Sequence, residues 1–421
     1  MKKTIFLLYA FIITLMGTAQ VTVTTLAGST QGFADGTGVA AQFHFPEGVA
    51  TDAAGNVYVA DTYNNKIRKI TPAGEVSTLA GSTQGYTDGS GDTAQFHAPI
   101  SVATDAANNL YVGDVHNNII RKITPTGEVS TLAGSTAGFA DGTGAAQFDQ
   151  PWGVSTDTAG NVYVADANNN KIRKITPEGV VSTFAGSIQG YADGNWASAK
   201  FFLPRGVATD TAGNVYVADT SISKIRKISS AGVVSTLAGS TQGFVDGTGA
   251  AAQFNQPFGL TTDTAGNVYV ADTFNNKIRK ITPAGEVTTL AGSTAGFADG
   301  IGATAQFNFP ASVATDAAGN VYVADVHNHK IRKITQTLGV AQNEVASKIT
   351  IYPNPVATLL TVQLENGCVI DKISITDLSG KIVLTHTQNT TAVNVENLAQ
   401  GIYILEAYSG EDKYTSKFVK E

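Results

Sequence analysis

The chain has 421 residues, and its 43% hydrophobic and 14% charged content is that of a folded protein, which excludes a largely disordered chain. The formal net charge of −7, from 27 Lys and Arg against 34 Asp and Glu, argues against nucleic acid as a partner. The 44 glycines and 12 prolines recur beside Asn and Asp, a composition typical of tight turns between short strands, so we expect an all-β fold.

The first element is MKKTIFLLYAFIITLMGTAQ, in which two lysines precede an apolar run from Ile5 to Met16 and the small residues Gly17 and Ala19. This order predicts a secretory signal peptide over residues 1–19. The run is shorter than the roughly 20 residues of a membrane-spanning helix, and we expect no transmembrane span in the mature chain. The single cysteine, Cys368, excludes an intramolecular disulfide.

Near-copies of one segment fill residues 20–336. The Asp of an (A/G)D dipeptide marks each copy and returns every 52 or 53 residues, at Asp61, Asp114, Asp166, Asp219, Asp272 and Asp325. Each copy contains four short strands, which are GVATD, NVYVAD, KIRKI and EVSTLAG in the first copy, joined by turn-forming segments. Four short antiparallel strands per repeat predict one blade of a β-propeller, so six copies predict six blades.

The sixth copy stops after KIRKI at 330–334 and has no fourth strand. At the other end of the repeats, VTVTTLAG at 21–28 is a fourth strand with no blade in front of it. A closed ring buries every sheet face against a neighbour, whereas an open stack leaves both end faces bare. We therefore predict that strand 21–28 completes the sixth blade and closes the ring.

The segment PEGVATDAAGNVYVADTYNNKIRKI at 46–70 resembles the NHL repeat. Its strand–turn–strand pattern recurs in all six copies, and the second copy departs most, with NNLYVGD at 108–114 and Ile119 in place of lysine. The resemblance implies a six-bladed propeller. It implies no particular function, because one fold hosts many activities.

Residues 350–421 contain the segments IYPNPVATLLTV, ISITDLSGKIVLTH, VNVENLAQGIYILEAYSG and the closing KFVKE. Together these segments resemble the C-terminal sorting domain of the type IX secretion system, a small Ig-like β-sandwich. The motif residues are Pro353, Asn354, Pro355, Asp377, Gly380, Gly401 and Tyr403. The resemblance implies the type IX machinery as a partner and export across the outer membrane of a Gram-negative bacterium, to the cell surface or the medium. Residues 337–349 would be the linker at which the sorting domain is cut off.

Long connections such as residues 28–47 follow each fourth strand and share a face with the TYNN-type loops between the second and third strands. Structureless loops of this length are uncommon, so this face is the expected binding surface. Two of its positions differ among the near-copies. One follows the loop proline and is predicted to ring the channel mouth; it is occupied by Glu47, Ile100, Trp152, Arg205, Phe258 and Ala311. The other lies in the TYNN-type loop and is occupied by Tyr63, His116, Asn168, Ser221, Phe274 and His327.

This mixture of aromatic, amide and charged side chains suits recognition of a peptide or glycan surface. Drift at exposed positions is the competing explanation. The function we expect is that of a secreted or cell-surface binding scaffold, monomeric and without a cofactor, that recognises an extracellular protein or glycan.

An aspartate recurs in the Asp-Gly turn of each long connection, at Asp35, Asp88, Asp141, Asp193, Asp246 and Asp299. Aspartate in this position typically bonds the amides of its own turn, which favours a structural role. Calcium binding is the alternative, but no copy has the D-x-[DN]-x-[DN]-G spacing of a calcium loop. Asp61 and its equivalents are expected to pair with Lys66 or Arg68 across the hairpin.

Five loop histidines fall on blades six, one and two, which become neighbours when the ring closes. They are His44, His97, His116, His327 and His329. Three imidazoles can form an open zinc site, so the alternative function is a metal-dependent lyase or hydrolase at the channel mouth. Convergence of these histidines on one point would favour this alternative, and scatter over the rim would favour simple surface residues.

Overall fold

The computed structural model describes residues 20–337, 349–364, 369–387, 391–410 and 412–421. The predicted signal peptide, most of the predicted linker and Cys368 lie outside these residues. The described chain is all-β and falls into two compact units, one formed by residues 20–337 and one by the described residues from 349 onward. Each unit is a separate body with its own core.

Six antiparallel sheets, which we call blades one to six, form the first unit. Each blade has four main strands, which follow one another along the chain in blades one to five. The innermost strands are Pro46–Thr51, Pro99–Thr104, Pro151–Thr156, Pro204–Thr209, Leu260–Thr262 and Pro310–Thr315. The second strands are Val57–Asp61, Leu110–Asp114, Val162–Asp166, Val215–Asp219, Val268–Asp272 and Val321–Asp325. The third strands are Lys66–Ile70, Ile119–Ile123, Lys171–Ile175, Lys224–Ile228, Lys277–Ile281 and Lys330–Thr337. The fourth strands are Glu75–Ala80, Glu128–Gly134, Val181–Ala185, Val233–Ala238, Glu286–Ala291 and, for blade six, Gln20–Ala27.

The turn between the first two strands is fixed by one aspartate. In blade one, Asp52 Oδ1 accepts hydrogen bonds from the backbone N–H groups of Ala54 at 3.0 Å and Asn56 at 2.8 Å. Its Oδ2 accepts from Asn56 Nδ2 at 2.7 Å and from the Tyr58 hydroxyl at 3.0 Å. The equivalent bonds occur in all six blades, which is why the copies keep their Asp, Asn and Tyr.

The long connections are ordered, unlike the structureless loops expected from the sequence. They add a fifth, outermost strand to five blades, at Gly36–Thr37, Gly89–Ser90, Gly194–Asn195, Gly247–Thr248 and Gly300–Ile301. Single turns of 3-10 helix occur in the loops at Gly38–Ala40, Thr62–Asn64, Gly91–Thr93, Val115–Asn117, Thr220–Ile222, Gly249–Ala251, Thr273–Asn275, Gly302–Thr304 and Val326–Asn328.

The N-terminal strand Gln20–Ala27 is the fourth strand of blade six. It pairs antiparallel with Lys330–Thr337, in a register that places Val23 opposite Ile334. Val23 and Ala27 are fully buried and belong to two different apolar clusters, one between blades five and six and one between blades six and one. The chain therefore joins its first and last blade strands in a single sheet.

The innermost strands follow one another in a closed circle. Each ends in a threonine whose hydroxyl donates a hydrogen bond to the carbonyl of the equivalent threonine in the preceding blade. The distances run from 2.7 to 2.9 Å around the circle formed by Thr51, Thr104, Thr156, Thr209, Thr262 and Thr315. The circle continues without a break from blade six to blade one.

Apolar side chains fill the spaces between neighbouring blades rather than one central core. Between blades six and one, for example, Val49 and Ile70 pack with Tyr322 and Ala324. Equivalent clusters lie at the other five blade junctions. Each blade thus depends on both neighbours for the burial of its two faces.

A fully buried arginine from the third strand stabilises every blade. In blade one, Arg68 Nη1 forms an ion pair with Asp61 Oδ2 at 2.7 Å, and its Nη2 pairs with Asp35 Oδ1 at 2.6 Å. The Asp-Gly aspartate is therefore structural, but its partner is this arginine rather than the amides of its own turn. Lys66 instead donates to the Gly81 carbonyl at 3.0 Å. The same triad occurs around Arg121, Arg173, Arg226, Arg279 and Arg332.

We expect loss of one such arginine to be costly. Arg226→Met leaves Asp219 buried without its cation, and breaking a buried pair on one side costs about 3–5 kcal/mol. Lys227→Met removes a neighbouring, partly exposed charge and should cost about 1 kcal/mol or less. Chemical denaturation followed by tryptophan fluorescence measures the propeller alone, because both tryptophans, Trp152 and Trp196, lie in it. Equal losses for the two variants would contradict the prediction.

The second unit consists of two antiparallel sheets. One contains the strands Ile349–Tyr352, Leu359–Leu364 and Ala392–Asn394. The other contains Ile382–Thr387, Lys372–Thr376, Gly401–Ser409 and Asp412–Lys420. A single core that includes the fully buried Val362, Ile375, Leu405 and Phe418 joins the two sheets into a sandwich.

The motif residues of this unit hold its turns and edges. Asn354, between the two motif prolines, accepts a hydrogen bond from Val419 N at 2.8 Å. Asp377 Oδ1 accepts from the backbone of Ser379 at 2.9 Å, in the turn where Gly380 has a φ of 84°. The Tyr403 hydroxyl donates to the Ala399 carbonyl at 2.9 Å. Within the part of the chain that the structure describes, no helix has the length and hydropathy of a membrane span.

Candidate functional site

The ends of the long connections meet the TYNN-type loops on one face of the propeller. In blade one, Tyr63 N donates to the His44 carbonyl at 3.1 Å, and His44 N donates to Asp61 Oδ1 at 2.8 Å. Equivalent backbone bonds join the two loops in the other five blades. The two sets of positions that differ among the copies are therefore held close together by repeated framework bonds.

A cavity of about 270 Å³ opens at the centre of the ring and is lined by the innermost strands of all six blades. All six residues that follow the loop prolines line this cavity. They are Glu47, Ile100, Trp152, Arg205, Phe258 and Ala311. We call this group of six the mouth ring.

Close packing of the innermost strands fixes the mouth ring in place. The residue after each ring position is glycine or serine, as at Gly48 and Gly206. A Cβ on Gly206 would overlap the carbonyl oxygen of Phe258, and one on Gly48 would overlap that of Ile100. The backbone of each blade therefore lies directly against its neighbour at the mouth, which makes the ring a preformed site.

Arg205 of blade four contacts two aromatic rings. Its Cζ is 4.1 Å from the ring centroid of Trp152 in blade three and 4.2 Å from that of Phe258 in blade five. The two rings are themselves 5.8 Å apart at an interplanar angle of 80°. These cation–π contacts hold the guanidinium at a fixed place in the mouth.

Aromatic rings continue around the mouth from this point. Phe258 contacts Phe309 at a centroid distance of 5.4 Å, and Phe309 stacks on His327 at 4.7 Å. Phe45 then contacts His327 at 5.5 Å and Tyr63 at 5.3 Å. We call this series, together with Trp152 and Phe274, the aromatic arc; Phe274 joins it through Phe309 at 5.2 Å.

A second cavity, of about 340 Å³, adjoins the mouth over blades one and two. Glu47, Ile100 and Trp152 line both cavities. The second cavity is completed by groups that include Tyr63 and His116. The face thus offers a continuous recess, aromatic on one side and polar on the other.

The mouth ring contains one carboxyl group and one guanidinium. Glu47 of blade one and Arg205 of blade four occupy opposite positions in the six-membered ring. Burial raises the pKa of Glu47 to about 7, although the positive charge of Arg205 opposes the rise. Burial also lowers the pKa of Arg205, against the attraction of Glu47. Within the described ranges, neither side chain forms a direct ion pair or hydrogen bond with another residue.

Two of the predicted binding residues are less open to solvent or lie apart from the cavities. Phe258 lines the central cavity but is only 4% exposed and packs with Ala311 and Val326. Asn168 donates from Nδ2 to Asp149 Oδ1 at 3.0 Å and lines neither cavity.

The five histidines separate into two groups instead of converging on one point. His97 Nε2 and His116 Nδ1 lie 3.3 Å apart. On the other side, the rings of His44 and His329 are 6.3 Å apart, and His327 belongs to the aromatic arc. In the ranges covered by the structure, no three His, Cys, Asp or Glu side chains are grouped to hold a metal ion. The arrangement that would favour the metal-dependent enzyme is therefore not found.

The role of His329 follows from its place in the repeat. It occupies the last position of the TYNN-type loop, where blade one has Asn65. Asn65 Oδ1 accepts a hydrogen bond from Ala98 N at 3.1 Å, and His329 Nδ1 accepts the corresponding bond from Phe45 N at 3.3 Å. His329 thus replaces a structural asparagine at the junction of blades six and one.

Sequence reasoning missed the residue before each loop proline. Phe45 and Phe309 occupy this position with φ of 52° and 59°, and both belong to the aromatic arc. The position also varies among the copies, with Ala98, Gln150, Leu203 and Gln256 in the other blades. Variation among the repeats was therefore the signal that could have identified it.

The fold is a six-bladed β-propeller followed along the chain by a small β-sandwich. The propeller has a central cavity that the mouth ring lines. The chain contains NHL repeats and a C-terminal sorting domain. The NHL repeat model matches residues 43–70, 148–175 and 307–334, and the secretion system C-terminal sorting domain model matches residues 350–421. This confirms both predicted resemblances. The sorting domain assigns the chain to type IX secretion, with the cell surface or the medium as its destination.

Relatives share the repeat region. The chain is 32% identical to Protein SUPPRESSOR OF QUENCHING 1, chloroplastic, of Arabidopsis thaliana, over 70% of this chain and 30% of that protein. It is 30% identical to NHL repeat-containing protein 2 of Bos taurus, over 70% of this chain and 47% of the relative. The chain spans less than half the length of these relatives. An auxiliary nutrient binding protein from Bacteroides thetaiotaomicron shares the fold at 18% identity and a TM-score of 0.59, over 76% of this chain and 77% of that one.

Proposed function

We propose that this protein is a secreted or cell-surface binding scaffold that recognises a glycan or protein ligand at the mouth ring and the adjoining aromatic arc. One observation carries the proposal. The copies keep their framework residues, such as the buried arginines, but all six mouth-ring residues differ and all six line one cavity. Arg205, which contacts two aromatic rings in that cavity, favours binding over drift as the reason for this variation.

The composition of the mouth supports binding. Aromatic side chains and arginine are enriched where proteins bind ligands, because they offer large contact areas and directed polar groups. Tyr63 and Phe274 are 63% and 46% exposed, so a large part of each ring is open to a ligand. A similar fold occurs in an auxiliary nutrient binding protein, which is compatible with a binding role here.

We expect the double variant Trp152→Ala, Tyr63→Ala to lose at least tenfold in affinity for a ligand identified on a glycan and peptide array, because central aromatic anchors contribute most to binding. The control carries the same residue changes at Trp196 and Tyr86, which are 52% and 75% exposed and line neither cavity. Its affinity should stay within twofold. The assignment of the site would be overturned if both variants lost affinity for the array ligand, or if neither did.

A further inference from the structure

We propose that the mouth ring is a carboxylate site built on Arg205, and that its ligand is an acidic sugar whose ring packs on the aromatic arc. The inference rests on the proposed function and names the ligand class of the same site. It is carried by the contacts of one side chain, by the charges around it and by the size of the cavity.

Arg205 contacts two aromatic rings at the central cavity. Its Cζ lies 4.1 Å from the ring centroid of Trp152 and 4.2 Å from that of Phe258, and the two rings stand at 80° to each other. A guanidinium donates its hydrogen bonds from its edges, in a fork that matches a carboxylate. Among the described residues no side chain or carbonyl accepts a hydrogen bond from Arg205, although it lines the cavity. The unused donors therefore point to an anion supplied from outside the chain.

The charge of the lining favours a monoanion. Arg205 is the only cation among the residues that line the central cavity, and Glu47 is the only acid. A phosphate group carries close to two negative charges at neutral pH and would meet one guanidinium and one opposing carboxyl. A carboxylate carries one charge and matches one guanidinium.

The surroundings favour a sugar as the carrier of this carboxylate. The cavity of about 270 Å³ has room for a single ring-sized group, with the aromatic arc beside it. Flat aromatic faces with negative quadrupoles attract the polarised C–H groups on one face of a pyranose ring. Extended peptides gain affinity by pairing with a free strand edge, and in five blades a fifth strand already covers the outer edge. Binding of peptide C-termini is the other outcome that the test must separate.

A variant with Trp152 as its single tryptophan reports binding at the mouth through its fluorescence. The chain has two tryptophans, and Trp196→Phe removes the exposed one while Trp152 remains against Arg205. We expect titration of the full secreted chain with D-glucuronate, or with a short oligomer of galacturonate, to change the Trp152 emission in a saturable way. D-glucose, which has a hydroxymethyl group in place of the carboxylate, should bind at least tenfold more weakly.

Charge variants at the mouth test the role of Arg205. Arg205→Gln in the same background should reduce uronate affinity by about 10- to 100-fold, since hydrogen bonds to charged groups contribute about 1.5–3 kcal/mol. Lys227→Gln makes the same charge change away from the mouth and should leave the affinity within twofold. Arg205→Lys keeps the charge but loses the fork, and should not restore full affinity. Circular dichroism verifies that each variant is folded.

Glu47 adds a pH dependence. Its pKa of about 7 makes it neutral below this pH and ionised above it, so anion affinity should fall as pH rises through 7. The titratable groups near Glu47 are Arg205 across the mouth and Tyr63, His97 and His116 in the adjoining cavity. Glu47→Gln should remove the fall in affinity above pH 7, which separates the effect of Glu47 from that of the histidines.

Three outcomes would overturn the inference: equal affinity for glucuronate and glucose, unchanged uronate affinity in a folded Arg205→Gln protein, or selective binding of a peptide carboxylate such as N-acetyl-alanyl-alanine. Each of them leaves the proposed function standing if the array ligand still depends on Trp152 and Tyr63. Loss of that dependence would instead remove the proposed function itself.

Discussion

Deletion of residues 20–27 is expected to abolish the stably folded propeller. The strand pairs along its whole length with Lys330–Thr337, so its loss leaves this strand as an unpaired sheet edge. It also removes Val23 and Ala27 from two apolar clusters and exposes the junctions on both sides of blade six. Because every blade needs both neighbours, the expected loss is comparable to the total stability of a domain, about 5–15 kcal/mol.

The measurement is light scattering after size-exclusion chromatography, together with thermal unfolding. We expect the deletion protein to aggregate or to melt far below the parent chain. A matched pair of point variants separates the effect of burying a charge from the effect of adding one to this strand. Val23→Asp places a carboxylate at a fully buried position, whereas Thr24→Asp places it on the exposed side of the same strand. A deletion protein that stays monomeric with an unchanged melting temperature would contradict closure by this strand.

Removal of residues 350–421 is expected to abolish export. The signal peptide predicted from the sequence delivers a chain only to the periplasm, and the sorting domain provides the address for the next membrane. The core of this unit is built only from residues 349 onward, and the propeller ring is complete within residues 20–337. The truncated chain should therefore fold and accumulate in the periplasm of a host that has the type IX machinery.

Cell fractionation with an antibody to the propeller measures this result. Transfer of residues 350–421 to an unrelated periplasmic protein should give the reciprocal outcome, which is export of the fusion. Two leucine variants test whether the address is the folded unit: Leu405→Asp disrupts the buried core, and Leu378→Asp changes a residue that is 72% exposed. Normal surface or medium levels of the truncated chain would refute this assignment.

The sequence by itself predicted the elements whose structure depends on residues that are close together along the chain. Strand periodicity and the Asp-x-x-x-Asn turn recur in every copy, so each blade can be recognised from about 50 consecutive residues. The sixth copy lacks a fourth strand, and the strand at 21–28 lacks a blade. Each can supply the partner that the other needs, so the sequence predicts that they pair, as they do in the structure. The sorting domain was recognisable because its motif residues hold its turns, as Asn354 and Asp377 do.

Only the tertiary structure decided the contacts between elements that are distant along the chain. Arg68 takes Asp35 as a partner because the long connection returns beside the third strand of the same blade. Arg205 meets Trp152 and Phe258, each 53 residues away, because the packing of adjacent blades brings their equivalent positions together. Near-identical copies carry no information about which side chain points at which neighbour, since that depends on the angle between the blades. The same geometry divides the histidines into two groups and buries Phe258. It also places the guanidinium of Arg205 at the central cavity, with no hydrogen-bond acceptor among the described residues.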